Sequence, residues 1–177
     1  MECLTKPELL NLLRAARAAR ERDWLMILLA YNHGLRASEV VSFTPDAIRN
    51  GFITIQRLKG SNRTVQALVK HSDPLLNEQH ALIEFVSRVN PGERVFPISR
   101  QHFWRLVHRY AKAAGIPYHK SHPHILKHSI ALHTIKIAEI HNLKQYLGHK
   151  SLSSTGEYLK VSDADASTAV QTALRHN

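Results

Sequence analysis

The sequence predicts an α+β fold that is mainly helical and carries one small three-stranded antiparallel sheet. Start and stop signals for helices recur along most of the 177 residues, whereas strand signals gather in one place, around the pair Asn50-Gly51. No long-period repeat or low-complexity segment stands out, and a chain this long with 44% hydrophobic content makes one domain with a real core.

Thr5-Lys6-Pro7-Glu8 reads as a capping box with proline in the first turn, opening a helix that turns leucines 9, 10, 12 and 13 inward. Arg14, Arg17 and Arg20 recur every three residues as a solvated face, with phosphate contact the lesser reading. A second helix, about Asp23 to His33, is apolar almost all round and so belongs at the centre, with Gly34 placed to end it. A third runs from about Ala37 to Phe43. The sheet follows: Ala47 to Arg49, the turn pair Asn50-Gly51, Phe52 to Arg57, a polar loop Lys59-Gly60-Ser61-Asn62, and Arg63 to Val69. Asp73-Pro74 caps a helix to about Val89, which Asn90-Pro91-Gly92 stops. Ser99 starts another that ends at Gly115. His119 to Pro123 is a basic loop. From His124 a helical pattern leads to a further helix ending at Leu147-Gly148. A short polar segment then reaches Tyr158, and a last helix begins at Ser162.

Lysine and arginine outnumber aspartate and glutamate 24 to 14, for a formal charge of +10 and a pI near 10.0. An anionic partner follows, nucleic acid ahead of an acidic membrane surface. The opening residues lack a signal-peptide pattern, and the longest apolar run, Trp24 to Tyr31, is too short to span a bilayer, so the expected location is cytoplasmic, with the nucleoid. The single cysteine, Cys3, carries no disulfide or zinc signature.

Five islands hold basic or nucleophilic residues next to element boundaries: GLRASE, LKGSN, HPHILKHS, LGHKSLSS and GEYLK. In this order and at these separations they resemble the tyrosine recombinase or phage integrase family across nearly the whole chain. That family carries an arginine after Gly-Leu, a hairpin lysine, an H-x-x-R-H-[ST] box, an L-G-H box and a tyrosine nucleophile nine residues on. The resemblance implies that Arg36 is the first phosphate-binding arginine, Lys59 the hairpin lysine, His124 the first residue of the H-x-x-R box, His149 the histidine of L-G-H, and Tyr158 the nucleophile. Lys127 stands where the family has its second arginine. The implied activity is site-specific DNA recombination or integration through a 3′-phosphotyrosyl intermediate, of the kind mobile elements use. The resemblance further implies double-stranded DNA as the partner, a homo-tetramer at synapsis, and no cofactor or metal. Residues 1–177 are expected to be the catalytic domain, without the smaller helical domain that usually precedes it, and the last helix docks in its own domain or on a neighbouring subunit.

The residue types suit that chemistry. Negative charge grows on the nonbridging oxygens as phosphorus becomes five-coordinate, so fixed donors aimed there lower the barrier. Arg36, His124, Lys127 and His149 would form that set. Tyrosine, with a pKa of about 10, needs positive surroundings or a base to attack at neutral pH. Lys59 would protonate the leaving 5′-oxygen as general acid.

The histidines at 119, 122, 124, 128 and 133 raise a metal site as an alternative. His124 and His128 are four apart, but no catalytic glutamate stands between them and no cysteine is near, so His128 reads as a packed helix residue and His133 stays undetermined. Lys127 opens a second alternative. A guanidinium fork fixes two oxygens, whereas an ammonium is a point charge. Losing one fixed donor costs about 3 kcal/mol, roughly a hundredfold in rate. The chain is thus either an active enzyme that tolerates lysine or a DNA-binding accessory relative that cleaves poorly; relaxation of the type IB topoisomerase kind is a further alternative.

Overall fold

The computed structural model describes residues 2–57, 61–135, 137–151 and 155. The capping box forms as expected. Thr5 Oγ1 accepts the Glu8 N–H and Glu8 Oε2 accepts the Thr5 N–H, opening α1 (Lys6–Ala19). Leu9, Leu12 and Leu13 are buried, while Leu10 packs at the margin. Arg20 separates α1 from α2 (Glu21–Asn32), in which Leu25 through Ala30 are buried on every face. That is why its sequence shows no polar stripe: α2 packs against α1, α3 (Ala37–Val41), α4 (Glu78–Val86) and α6 (His124–Thr134). Arg17 lies 4.6 Å over the Trp24 ring, a cation–π contact that accounts for one member of the arginine row.

The sheet has the order β1 (Ile48–Arg49), β2 (Phe52–Ile55), β3 (Thr64–Ala67), all antiparallel. Asn50 and Gly51 both take positive φ, the type I′ pairing that matches strand twist, and set Ile48 opposite Ile53. In β2 the apolar Ile53 and Ile55 face inward. In β3 the alternation is inverted, with Thr64 and Gln66 buried and Val65 exposed. The buried polar face of β3 looks toward α7 (Ile140–Leu147), where its side chains find partners.

Some boundaries depart from the sequence reading, among them the end of α4, at Val86 rather than Val89. Asp73-Pro74 does not cap a helix. Asp73 Oδ1 accepts the Leu75 N–H in a local turn, Leu75 is buried, and its carbonyl takes the Trp24 Nε1–H at 3.0 Å; α4 begins only at Glu78. The third helix stops at Val41, and Phe43 instead packs beside Phe96. α5 (Arg100–Ala113) matches its signals, with Ser99 Oγ accepting the His102 N–H and Gly115 at positive φ.

The chain start is stitched to α6. Ser129 Oγ accepts the Leu4 N–H and donates to the Ile125 carbonyl. His133 settles as a structural residue, its Nε2 facing the Leu4 carbonyl at 2.8 Å and its Nδ1 facing the Tyr31 hydroxyl at 2.9 Å. Among the described residues no helix is long and apolar enough to cross a membrane. The expected last helix from Ser162 lies outside the described residues.

Candidate active site

Gly34 takes φ +57, and a Cβ there would stand 2.7 Å from Leu147 Cδ2, so a side chain at this point would be strained and would have to displace Leu147. The turn delivers Arg36 as the cap of α3. Glu39 Oε2 accepts the Arg36 N–H at 2.9 Å, Glu39 Oε1 accepts from Nη1 at 2.9 Å, and Nη2 reaches Ser61 Oγ at 3.3 Å. The guanidinium is thereby held between its own helix and Ser61, ahead of β3.

Glu39 also binds Arg57, which the sequence did not single out. Arg57 is buried, and all its N–H groups are used. Nε donates to Thr64 Oγ1, Nη1 to the Gly34 carbonyl and Glu39 Oε2, and Nη2 to the His33 and Tyr146 carbonyls, at 2.8 to 3.3 Å. The buried His33 and Gly34 carbonyls just past the C-terminus of α2 are thus capped by a cation that complements the helix dipole. Because it also ties α2 to α7, Arg57 fixes the floor beneath Arg36.

Beside Arg57 lies a second buried network. His33 Nε2 faces Glu78 Oε1 and its Nδ1 faces Gln66 Oε1, both at 2.6 Å. Asn32 Nδ2 donates to Glu78 Oε2, Gln66 Nε2 donates to the Tyr146 carbonyl, and the Tyr146 hydroxyl donates to the Asn32 carbonyl. These bonds explain the polar inward face of β3.

The Leu147-Gly148-His149 turn completes the pocket. Gly148 has φ +68, and a Cβ would stand 2.8 Å from the Asn62 carbonyl and 3.0 Å from Arg57 Cγ. Asn62 donates its N–H to the Gly148 carbonyl at 3.0 Å, so the segment leading into β3 docks backbone to backbone on this turn. His149 is held through Nδ1 against Thr155 Oγ1 at 3.0 Å. Burial pushes its imidazolium down to about 4, and the charges of Lys127, Arg36 and Arg57 push the same way. At neutral pH it is a neutral ring.

Lys127 is 2% exposed, and its Nζ donates to the Leu147 carbonyl at 3.4 Å. Burial pushes it down to about 7, the Arg57 and Arg36 guanidiniums add to the fall, and Glu39 opposes it. Arg36, Lys127 and His149 are thereby brought together on the Glu39–Arg57 support.

His124 sits exposed at the first position of α6, one turn ahead of Lys127. It lines an open basic groove with Ala37, Arg100, Trp104, Arg105 and His122, immediately beside Arg36 in the chain. Its ring meets His128 edge to face at 4.4 Å; burial holds His128 low, at about 4, with His124 and His122 adding to the effect. An apolar hollow lined by Leu9, Tyr31, Ile130, Leu143 and Tyr146 contains none of Arg36, His124, Lys127 or His149. Lys59 and Tyr158 lie outside the described residues. Ser61 and Thr155, two and three positions from them, touch Arg36 and His149.

Comparison with known proteins identifies the family. The phage integrase family model matches residues 2–165. Tyrosine recombinase XerA of Thermococcus kodakarensis is 33% identical over 172 residues, covering 90% of this chain and 58% of that protein. Tyrosine recombinase XerD of Xanthomonas campestris pv. campestris is 37% identical over 158 residues, covering 79% and 48%. The chain therefore spans about half the length of the curated relatives it matches. The crystal structure of XerA recombinase superposes with a TM-score of 0.76 at 18% identity, over 97% of this chain and 65% of that one. The catalytic domain of bacteriophage HP1 integrase gives 0.66 at 22% identity, over 97% and 94%. The structures share the fold, and the family match runs through every island of the sequence but the chain's last residues: the chain belongs to the phage integrase family.

Proposed function

We propose that the chain is the catalytic domain of a site-specific DNA recombinase that cleaves and rejoins strands through a 3′-phosphotyrosyl intermediate. The observation that carries this function is the convergence of Arg36, Lys127 and His149 on one buried support. Three basic side chains from three distant segments meet there, with a basic groove alongside for the rest of the duplex. Residues 1–177 as a catalytic domain are supported by the near-complete overlap with the HP1 integrase domain. DNA as partner is supported by the charge of +10 and by fold neighbours solved with DNA, such as lambda integrase and the Tn1549 transposon integrase.

In this function Arg36 grips one nonbridging oxygen of the scissile phosphate, its guanidinium preset by Glu39. Neutral His149 donates an N–H to the phosphoryl oxygens, and Lys127 adds a third donor from α6. His124, at the groove side, contacts the phosphate or its neighbour. The Tyr158 hydroxyl attacks phosphorus, the P–O5′ bond breaks, and Lys59 gives the leaving 5′-oxygen its proton. A 5′-hydroxyl of a partner strand later displaces Tyr158, so the bond energy is retained and neither nucleotide nor metal cofactor is consumed. A tetramer on two duplexes and residence on the chromosome or a mobile element follow from that reaction.

Lys127 favours a second function, DNA binding with little cleavage, because among the described residues its Nζ has one long hydrogen bond, and an ammonium lacks the two-pronged donor geometry of a guanidinium. Strand exchange separates the two. Mixed duplexes from the flanking genomic sequence should yield recombinant strands with the native chain and none with Arg36→Ala or Tyr158→Phe. Tight DNA binding by the native chain with no recombinant strands, and none regained in Lys127→Arg, would overturn the proposal.

A further inference from the structure

We infer that above neutral pH Lys127 is carried mainly as a neutral amine in the DNA-free protein and takes up a proton when a phosphodiester settles between it, Arg36 and His149. The inference rests on the proposed phosphate site and adds to it a coupling between anion binding and proton uptake that the family's arginine cannot provide.

The geometry leaves an ammonium poorly provided for. Lys127 is 2% exposed, and among the described residues its Nζ meets one acceptor, the Leu147 carbonyl at the long distance of 3.4 Å. An ammonium brings three N–H donors into that space, whereas an amine brings two and a lone pair. Among the described residues the groups facing it are mostly cationic or neutral bases: Arg36 at the start of α3, Arg57 after β2, His149 after α7, and His128 on its own helix. Glu39 is the carboxylate among them, and both its oxygens are engaged. Oε1 accepts from Arg36, while Oε2 accepts from the Arg36 backbone and from Arg57. Among the described residues, two guanidiniums and one carboxylate leave this cluster at +1, and a charged lysine would make it +2. The direction of the Lys127 shift, down to about 7 chiefly through burial, agrees with the geometry.

A bound phosphodiester reverses each of these terms. It brings one negative charge and two nonbridging oxygens that accept hydrogen bonds, so the ammonium gains a partner and becomes the favoured form. By linkage, affinity for the anion must fall as pH rises above the free-state midpoint. An arginine, charged at every working pH, would show no such dependence.

The test is a pH titration of lysine 13Cε shifts in the whole chain labelled at that carbon. The Lys127 signal is assigned by its loss in Lys127→Arg, or in Lys127→Met should the arginine variant not fold. Sulfate serves as the tetrahedral anion, against chloride at matched ionic strength. The expected midpoint is about 7 in chloride and higher by about one unit, a tenfold change in proton affinity, in sulfate. A midpoint in the ordinary lysine range near 10.4 in chloride would overturn the inference, as would a midpoint near 7 that sulfate leaves unmoved. The outcome is separable from the proposed function. A Tyr158 adduct formed by a protein whose Lys127 titrates normally sinks the inference alone, and a shifted, sulfate-responsive Lys127 in a protein that never forms an adduct sinks the function alone.

Discussion

The Glu39 carboxylate and Arg36 are joined at two points, backbone N–H to Oε2 and guanidinium Nη1 to Oε1, both at 2.9 Å. One carboxylate thus sets both the turn of the chain and the direction of the side chain, and its Oε2 also takes the buried Arg57 at 3.2 Å. Replacing Glu39 by glutamine keeps the shape and removes the charge that balances two guanidiniums. The expected loss is about 3 kcal/mol of stability, since breaking a buried pair leaves a charge uncompensated. Urea unfolding of Glu39→Gln reads it, and an unchanged midpoint would contradict the role given to Glu39.

Gly148 and Gly115 both have positive φ but different surroundings. A Cβ at Gly148 meets the Asn62 carbonyl at 2.8 Å, whereas one at Gly115 meets nothing within 4 Å. Gly115→Ala should therefore cost only the left-handed backbone term, about 1 kcal/mol. Gly148→Ala should cost roughly 3 kcal/mol, because Asn62 must also move off the turn. Paired thermal melts of the two variants make the comparison, and equal losses would mean Asn62 does not dock at Gly148.

Lys127 sets a pH dependence with a definite sign. Its proton affinity is lower in the fold, about 7, than the ordinary 10.5, so the unfolded chain binds more protons between those values. Stability should rise from about pH 7 toward about pH 10, by up to about 5 kcal/mol for this group. Above pH 10 the trend reverses, because burial pushes the Tyr31 and Tyr110 hydroxyls up to about 12 and they resist an ionisation that the unfolded chain undergoes. Lys127→Met should flatten the rise between pH 7 and 10, as followed by denaturant midpoints across that range. A slope unchanged in the variant would assign it to other groups.

Legibility in the sequence followed the range of the interactions. Thr5-Glu8, Asn50-Gly51, Gly34 and Ser99 announce their elements because their partners lie within four residues. Asp73-Pro74 misled because its local signal fits both a helix cap and a tight turn, and the choice was made by Trp24, fifty-one positions from Leu75. At the site, Arg36, Lys127 and His149 could be picked out by ordered motifs, and the fold brings them together. The support could not be. Arg57 reaches the Tyr146 carbonyl across 89 positions, and His33 meets Glu78 across 45. Nothing in the local sequence marks an arginine after a strand or a histidine at a helix end as buried. The inverted alternation of β3, with Val65 out and Gln66 in, is the one sequence trace of that hidden polar face, and it reads as an ordinary strand until α7 is in place.

The central claim is a covalent bond from Tyr158 to DNA, and locating that bond tests it most directly. The native chain is incubated with a nicked duplex whose short 5′-hydroxyl fragment diffuses away, then digested with trypsin and nuclease and weighed by mass spectrometry. Lys150 and Lys160 bracket a peptide in which Tyr158 is the one tyrosine. The account predicts a nucleotide mass on peptide 151–160, sited at Tyr158 and absent in Tyr158→Phe. An adduct on another residue, or one that survives Tyr158→Phe, would contradict it.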